Sequence, residues 1–168
     1  AIGGRAEAWV TDDVRLGVTA MRETTGTTDQ RTASVDARVN IGNDSFVTAE
    51  VAQSEGLGFG RSISTDGGLT FDAETGVDGA TASAARVDAH LDLADMGTDT
   101  PGFVDLYFER KDAGFSTLAE DITEDQTLVG VDAEVTVTQR LTFGAAAESF
   151  EKASGDQKNS AEIRGTYD

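Results

Sequence analysis

From Thr127 to Glu151 (TLVGVDAEVTVTQRLTFGAAAESFE) apolar and polar residues alternate with period two, in two runs separated by a turn and almost no loop. Val129, Val131, Ala133, Val135 and Val137 alternate with Gly130, Asp132, Glu134 and Thr136. Leu141, Phe143, Ala145 and Ala147 then alternate with Thr142, Gly144, Ala146 and Glu148. Successive side chains of a strand point to opposite faces, so each run predicts one apolar face and one polar, often charged, face. Each run is close to the about 9–11 residues that a tilted strand needs to cross a bilayer.

The same alternation predicts strands over residues 4–11, 14–21, 33–40, 47–52, 85–92, 104–109 and 161–168, nine in all. Residues 23–30 (ETTGTTDQ) hold no hydrophobe and predict a polar loop. Residues 54–82 are Gly-rich and form the longest insertion, within which Asp66-Gly67-Gly68 is placed to join residues 61–65 and 69–73 as a small hairpin. Residues 111–126 are a second long polar loop, and 152–157 a shorter one. Short connections fall at 12–13, 41–44 and 138–139, and one of intermediate length at 93–101. Consecutive hairpins put alternate connections at opposite ends of a sheet, so the long ones are predicted to share one end, as in outer-membrane barrels.

An internal repeat supports an array of similar strands. Asp29-Gln30 followed by Val35-Asp36-Ala37-Arg38-Val39 recurs without a gap as Asp125-Gln126 followed by Val131-Asp132-Ala133-Glu134-Val135. Val87-Asp88-Ala89-His90-Leu91 is a third copy of the strand part, and a second correspondence aligns Val10-Thr11 with Val137-Thr138.

The 168 residues fit one domain, 1–168, and carry a formal charge of −18, which leaves no basic surface for nucleic acid. With 19 Gly and a single Pro, Pro101, the composition suits strands; with no Cys, thiol chemistry and zinc–thiolate sites are excluded. No run of about 18 apolar residues exists, which rules out a transmembrane helix but not a transmembrane strand. The opening Ala-Ile-Gly-Gly, without Met, reads as a processed protein or a piece of a larger one.

If the apolar faces meet lipid, the polar faces line a lumen. The candidates for that lining are Arg15, Asp36, Arg38, Glu50, Arg86, Asp88, His90, Asp105, Glu109, Asp132, Glu134, Glu148, Glu162 and Arg164, whose acidic excess favours cations. The same residues would be a solvated outer face if the Ala/Val sides packed on each other in a soluble sheet. The loop carboxylates Glu120, Asp121, Glu124 and Asp125, and Asp92, Asp95 and Asp99, match no EF-hand or nonapeptide calcium spacing. His90 is the only histidine, and with no Cys and no Ser in a nucleophile-elbow context a triad or zinc site has nothing to be built from; Gly56 to Gly60 (GLGFG) lacks the Lys and helix of a phosphate loop. Paired carboxylates for glycoside chemistry are abundant, but nothing fixes one pair. No catalytic residue and no cofactor is implied. Trp9, Phe46, Phe103, Tyr107, Phe108, Phe143, Phe150 and Tyr167 fall mostly near predicted strand ends, where barrels place aromatic girdles.

Residues 62–71 (SISTDGGLTF), 101–116 (PGFVDLYFERKDAGFS) and 124–143 (EDQTLVGVDAEVTVTQRLTF) resemble barrel-forming regions of large proteobacterial surface proteins that carry repeat or OmpA-type modules beside an outer-membrane barrel. The resemblance touches about half the chain, in strand-and-turn patterns. It implies location and architecture only: outer membrane, antiparallel strands, and anchoring of a larger polypeptide.

The expectation is therefore an all-β chain forming an antiparallel up-and-down outer-membrane barrel, or a segment of one, of 8–10 strands. Its partners would be outer-membrane lipid and the rest of a larger polypeptide, and its role a surface anchor or passive, cation-favouring channel wall. The alternative is a secreted acidic β-sandwich serving as a binding or adhesion module. Bacterial single-chain barrels use even strand numbers, so nine implies a missing strand, a miscounted weak one or a truncated chain, or that the hairpin at 61–73 is a pair of true strands.

Overall fold

The computed structural model describes residues 1–25, 28–55, 62–63, 72–73, 81–117 and 122–167. Its strands are β1 (Ile2–Trp9), β2 (Val14–Thr25), β3 (Thr28–Asn40), β4 (Phe46–Glu55), β5 (Ser62–Ile63), β6 (Asp72–Ala73), β7 (Ala82–Asp92), β8 (Gly102–Lys111), β9 (Gln126–Thr138), β10 (Leu141–Lys152) and β11 (Gln157–Tyr167). Nine of them form one antiparallel up-and-down sheet in the order β1-β2-β3-β4-β7-β8-β9-β10-β11. The pair β5-β6 stands apart, with Ser62 opposite Ala73 and Ile63 opposite Asp72. The predicted Asp66-Gly67-Gly68 turn of that hairpin lies outside the described residues, as does the GLGFG run.

The period-two segments became strands where the alternation was read, and several run longer. The predicted polar loop at 23–30 is corrected: β2 and β3 extend into it as far as Thr25 and Thr28, pairing Glu23 with Gln30, Thr24 with Asp29 and Thr25 with Thr28. Thr is β-branched and suits a strand, and a ladder already in register extends without any hydrophobe to announce it. For the same reason β11 starts at Gln157, inside the predicted 152–157 connection, and pairs down to Glu151. The sorting of connections is corrected with it, since only two residues separate β2 from β3. The two longest connections, between β4 and β7 and between β8 and β9, do share an end.

The turns are held locally. Thr11 Oγ1 accepts the Val14 N–H at 3.0 Å in the first connection. Between β10 and β11, Gly155 takes φ = 90°, a left-handed conformation that glycine adopts without steric cost, while its N–H donates to the Lys152 carbonyl at 2.9 Å.

The sheet does not close. Among the described residues strands contact only their sheet neighbours, β1 does not meet β11, and no second sheet stacks on this one. The usual burial pattern of a half-solvated sheet is inverted. Along β2, β3 and β4 the apolar positions Leu16, Val18, Val35, Val39 and Val51 are exposed, while the alternate polar positions are half-buried or buried. Val35 is 58 % exposed and its neighbour Asp36 only 7 %. The small buried apolar cluster, Ala82, Phe115 and Ile122, sits against Ala52 and Ala84. Because directly opposed residues share a face, the register puts Ala52 and Ala84 on the polar side of the sheet.

Candidate functional site

All fourteen predicted lining residues lie on one face. The register carries them across the sheet in rungs. One runs Arg15, Arg38, Thr48, Asp88, Tyr107, Gly130, Glu148; the next runs Gly17, Asp36, Glu50, Arg86, Glu109. A third joins Phe46, His90, Asp105, Asp132, Ala146 and Glu162, and a fourth Phe103, Glu134, Gly144 and Arg164.

Several of these residues reach across an intervening strand, and in each case the strand between them offers a glycine. Arg5 on β1 meets Asp36 on β3, with Nη2 donating to Oδ2 at 2.9 Å and Nη1 2.7 Å from Oδ1. Gly17 lies beneath, and a Cβ there would sit 2.4 Å from Asp36 Oδ1. The Tyr107 hydroxyl on β8 donates to Glu148 Oε2 on β10 at 2.9 Å, passing over Gly130 of β9. Arg164 on β11 donates to Asp132 Oδ1 on β9 at 2.8 Å, and a Cβ at Gly144 of β10 would lie 3.0 Å from its Nε. The two edge strands are thus each tied to the strand two in. Asp36, Asp88 and Asp132 are the same position of the sequence repeat, and each takes an arginine; for Asp88 it is Arg86 of its own strand, at 2.7 Å.

A second arrangement crosses the same face near the shorter connections. The Arg38 guanidinium carbon sits 3.7 Å above the centre of the Phe46 ring. His90 stacks between Phe46, at 5.4 Å, and Phe103, at 5.6 Å, and its Nδ1 lies 2.5 Å from Asp105 Oδ1. An open depression here is lined by Asp88, His90, Phe103, Asp105, Asp132 and Glu134 among others. Asp105 and Asp132 are directly opposed, a like-charge pair that costs stability unless cations sit close.

The aromatic-girdle expectation is corrected by this register. Trp9, Phe46, Phe103, Tyr107 and Phe150 are on the polar face, where Phe46 and Phe103 pack on a cation and an imidazole. Only Phe108, Phe143 and Tyr167 are on the exposed apolar face.

Of the loop carboxylates, Glu120 and Asp121 lie outside the described residues, while Asp92, Asp95, Glu124 and Asp125 are taken up by the protein itself. Asp95 accepts the N–H groups of Asn43, Asp44 and Ser45 at 3.0, 3.0 and 2.8 Å, so the β7–β8 connection fastens the β3–β4 turn. Its carboxyl is lowered to about 2, first by the Ser45 side chain and then by the amides of Asp44 and Asn43. Glu124 is also lowered, first by Ser154 and then by Lys152, whose Nζ is 3.1 Å away. Asp125 Oδ1 accepts the Ala113 N–H at 2.8 Å. Among the described residues no group of three His, Cys, Asp or Glu is arranged to hold a metal.

One feature has no counterpart in the sequence reading. In the β8–β9 connection, whose residues 118–121 lie outside the described residues, Ser116 sits on the polar face: its N–H donates to Ser54 Oγ on β4 at 3.1 Å, and Gln30 Nε2 on β3 donates to Ser116 Oγ. Phe115 and Ile122 close on each other through Ile122 N to Phe115 O at 2.9 Å and Gly114 N to Ile122 O at 2.7 Å. Their seat is Ala52, Ala82 and Ala84. The only sequence signal was this patch of small residues where the neighbouring polar positions carry charge. The chain matches no family model, and the searches of curated proteins and of solved structures found no match to it.

Proposed function

We propose that this chain is a wall segment of an outer-membrane β-barrel, serving without catalysis as a surface anchor and as the lining of a passive, cation-favouring passage. The observation that carries this reading is the inverted burial: a row of exposed Val, Leu, Ile and Phe on one face, and a charged face that is the more sheltered one. In water such a face would be covered by a second layer, and the described residues contain none. In a bilayer the exposed aliphatic side is the stable arrangement, and the ionised side keeps water.

The open edges fit a segment. In an up-and-down sheet of nine strands β1 and β11 run in the same direction, so joining them directly would make one parallel seam. An all-antiparallel ring takes an odd number of further strands, consistent with the even strand counts of bacterial barrels. The acidic excess on the polar face supports preference for cations.

Cysteine labelling tests the reading, because the chain has no native Cys. Cys introduced at Val35, Val51 or Val129 reacts with a lipid-phase maleimide and resists a membrane-impermeant one; at Asp132 or Glu134 the preference reverses. Lipid-phase labelling at Asp132 and Glu134 would sink the proposal. So would a detergent-free soluble monomer, the outcome for the sandwich module.

A further inference from the structure

The apolar face changes character at one end. Among the described strand residues three cations stand on it, Arg22, Arg31 and Arg110, and all three lie at the end with the longest connections. At the opposite end of β2, β3 and β4 the same face finishes in Val14, Val39 and Val47. Arg110 is taken up by Asp112, with Nε 3.3 Å from Oδ1, and its Nη2 lies 3.8 Å from Asp125. Arg22 and Arg31 are directly opposed across β2 and β3, on a rung that begins with Ile2 on β1 and ends with Glu55 on β4. That rung sets two guanidinium groups against one carboxylate, and an anion seated between directly opposed like charges relieves their repulsion. The two arginines border a depression of about 430 Å³, lined also by Ile2, Ala20, Ala33 and Glu55.

We propose that Arg22 and Arg31 form a binding site for the phosphate of an anionic lipid headgroup, in the leaflet on the side of the longest connections. The proposal rests on the barrel-wall reading above. The depth of the pair agrees with it. Arg31 is four residues from Val35, about 13 Å along a strand that rises about 3.3 Å per residue. That is close to half of the apolar band of outer-membrane barrels, which is about 25 Å tall. With the Val18, Val35, Val51 rung near the midplane, both guanidinium groups stand where hydrocarbon gives way to headgroups. Ile2, Ala20 and Ala33 beside them offer an aliphatic floor to the start of an acyl chain. A guanidinium presents its donors in a planar fork that matches phosphate oxygens, and it is more weakly hydrated than an ammonium, which suits a partly dry boundary. Glu55, on the far side of Arg31, repels the phosphate toward the gap between the two arginines.

The test is lipid retention by the whole chain, read by native mass spectrometry after exchange in detergent against phosphatidylglycerol or phosphatidylcholine. The unaltered protein prefers phosphatidylglycerol by roughly tenfold, as one charge-assisted hydrogen bond at the low end of its range gives. Arg22→Gln with Arg31→Gln abolishes the preference. Arg22→Lys with Arg31→Lys keeps part of it, because the charge remains and the fork is lost. Arg110→Gln leaves it intact. All three positions are exposed, so the variants fold, and circular dichroism verifies that they do. Unchanged preference in the folded glutamine pair overturns the proposal. So does its loss in Arg110→Gln alone, which would make the attraction one of diffuse charge. Displacement of phosphatidylglycerol by an equal concentration of inorganic phosphate assigns the pair to a soluble anion and overturns it as well. In each of these cases lipid-phase labelling at Val35 leaves the barrel reading standing. Failure of the chain to insert into vesicles of either lipid overturns both.

Discussion

Gly130→Ala adds a single methyl group at the place where Tyr107 lies flat across β9, and the resulting loss of stability can be worked out atom by atom. An ideal Cβ at position 130 would be 2.0 Å from Tyr107 Cζ, 2.2 Å from its hydroxyl oxygen and 2.5 Å from Cε2. No side-chain carbon tolerates those separations, so the ring must leave. Leaving breaks the 2.9 Å hydrogen bond from Tyr107 to Glu148, and a bond to a carboxylate contributes about 1.5–3 kcal/mol. Overpacking or an off-rotamer ring adds about 1–3 kcal/mol where the site is tight. Against this, Ala in a strand is better than Gly by about 0.5–1 kcal/mol. The site is half-buried, so the lower ends of the ranges apply, and the net loss is about 1–3 kcal/mol. Denaturant unfolding in detergent micelles, followed by circular dichroism, measures it. Tyr107→Ala removes the ring, and in that background Gly130→Ala becomes neutral or stabilising, which gives a large coupling in the double-mutant cycle. A stable Gly130→Ala single variant, or strict additivity with Tyr107→Ala, would refute the view that glycine on the middle strand is what lets side chains span two strands.

Val35 stands on the rung Val18, Val35, Val51, all exposed; Val35→Arg lowers unfolding stability in bilayers by about 2–4 kcal/mol if that rung is near the midplane, whereas Ser34→Arg on the polar face does not. Equal tolerance of both would count against lipid contact. Asp95, lowered to about 2, contributes stability that is complete above the ordinary carboxylate range and disappears as pH falls toward about 2. Amide hydrogen exchange at Asn43, Asp44 and Ser45 reports it, and a transition midpoint near the ordinary carboxylate value would contradict the assignment. Arg164→Ala costs only about 0.2–1 kcal/mol, because both it and Asp132 are substantially exposed. Arg5→Ala costs more, because Asp36 is nearly fully covered and would be left without its cation.

The strands of this fold were legible because one property, the apolar–polar alternation, is written in nearly every one of them. Where that property fades the reading failed in a consistent direction. Residues 23–30 carry only Glu, Thr, Gly, Asp and Gln, and nothing in them separates a loop from a polar extension of a ladder; the register of β2 on β3 decides it. The polar-face membership of all fourteen candidates followed from the period alone. Their partners did not, because Arg5 to Asp36 and Arg164 to Asp132 depend on which strands lie two apart and on a glycine between them. The infolding of Phe115 and Ile122 was invisible because a loop residue's burial is set by what faces it, here alanines of two strands far apart in the chain, Ala52 on β4 and Ala82 and Ala84 on β7.

The sequence repeat gains a physical meaning from these ties. Its Asp falls on the polar face of β3, β7 and β9, three strands that run in the same direction. At the two ends of the series the counter-charge comes from the sheet's edge strands, Arg5 from β1 and Arg164 from β11. In the middle it comes from Arg86 on the same strand. An edge strand has only one neighbour to hold it through the ladder, and both edge strands here are exposed along their whole length. An arginine that passes over a glycine to a carboxylate two strands in gives such a strand a second attachment, and it does so on the polar side only. On the apolar side the aliphatic rows such as Val18, Val35 and Val51 offer no group for a directional contact beyond the ladder itself, which is the condition under which they are free to be covered by something that offers no hydrogen bonds in return.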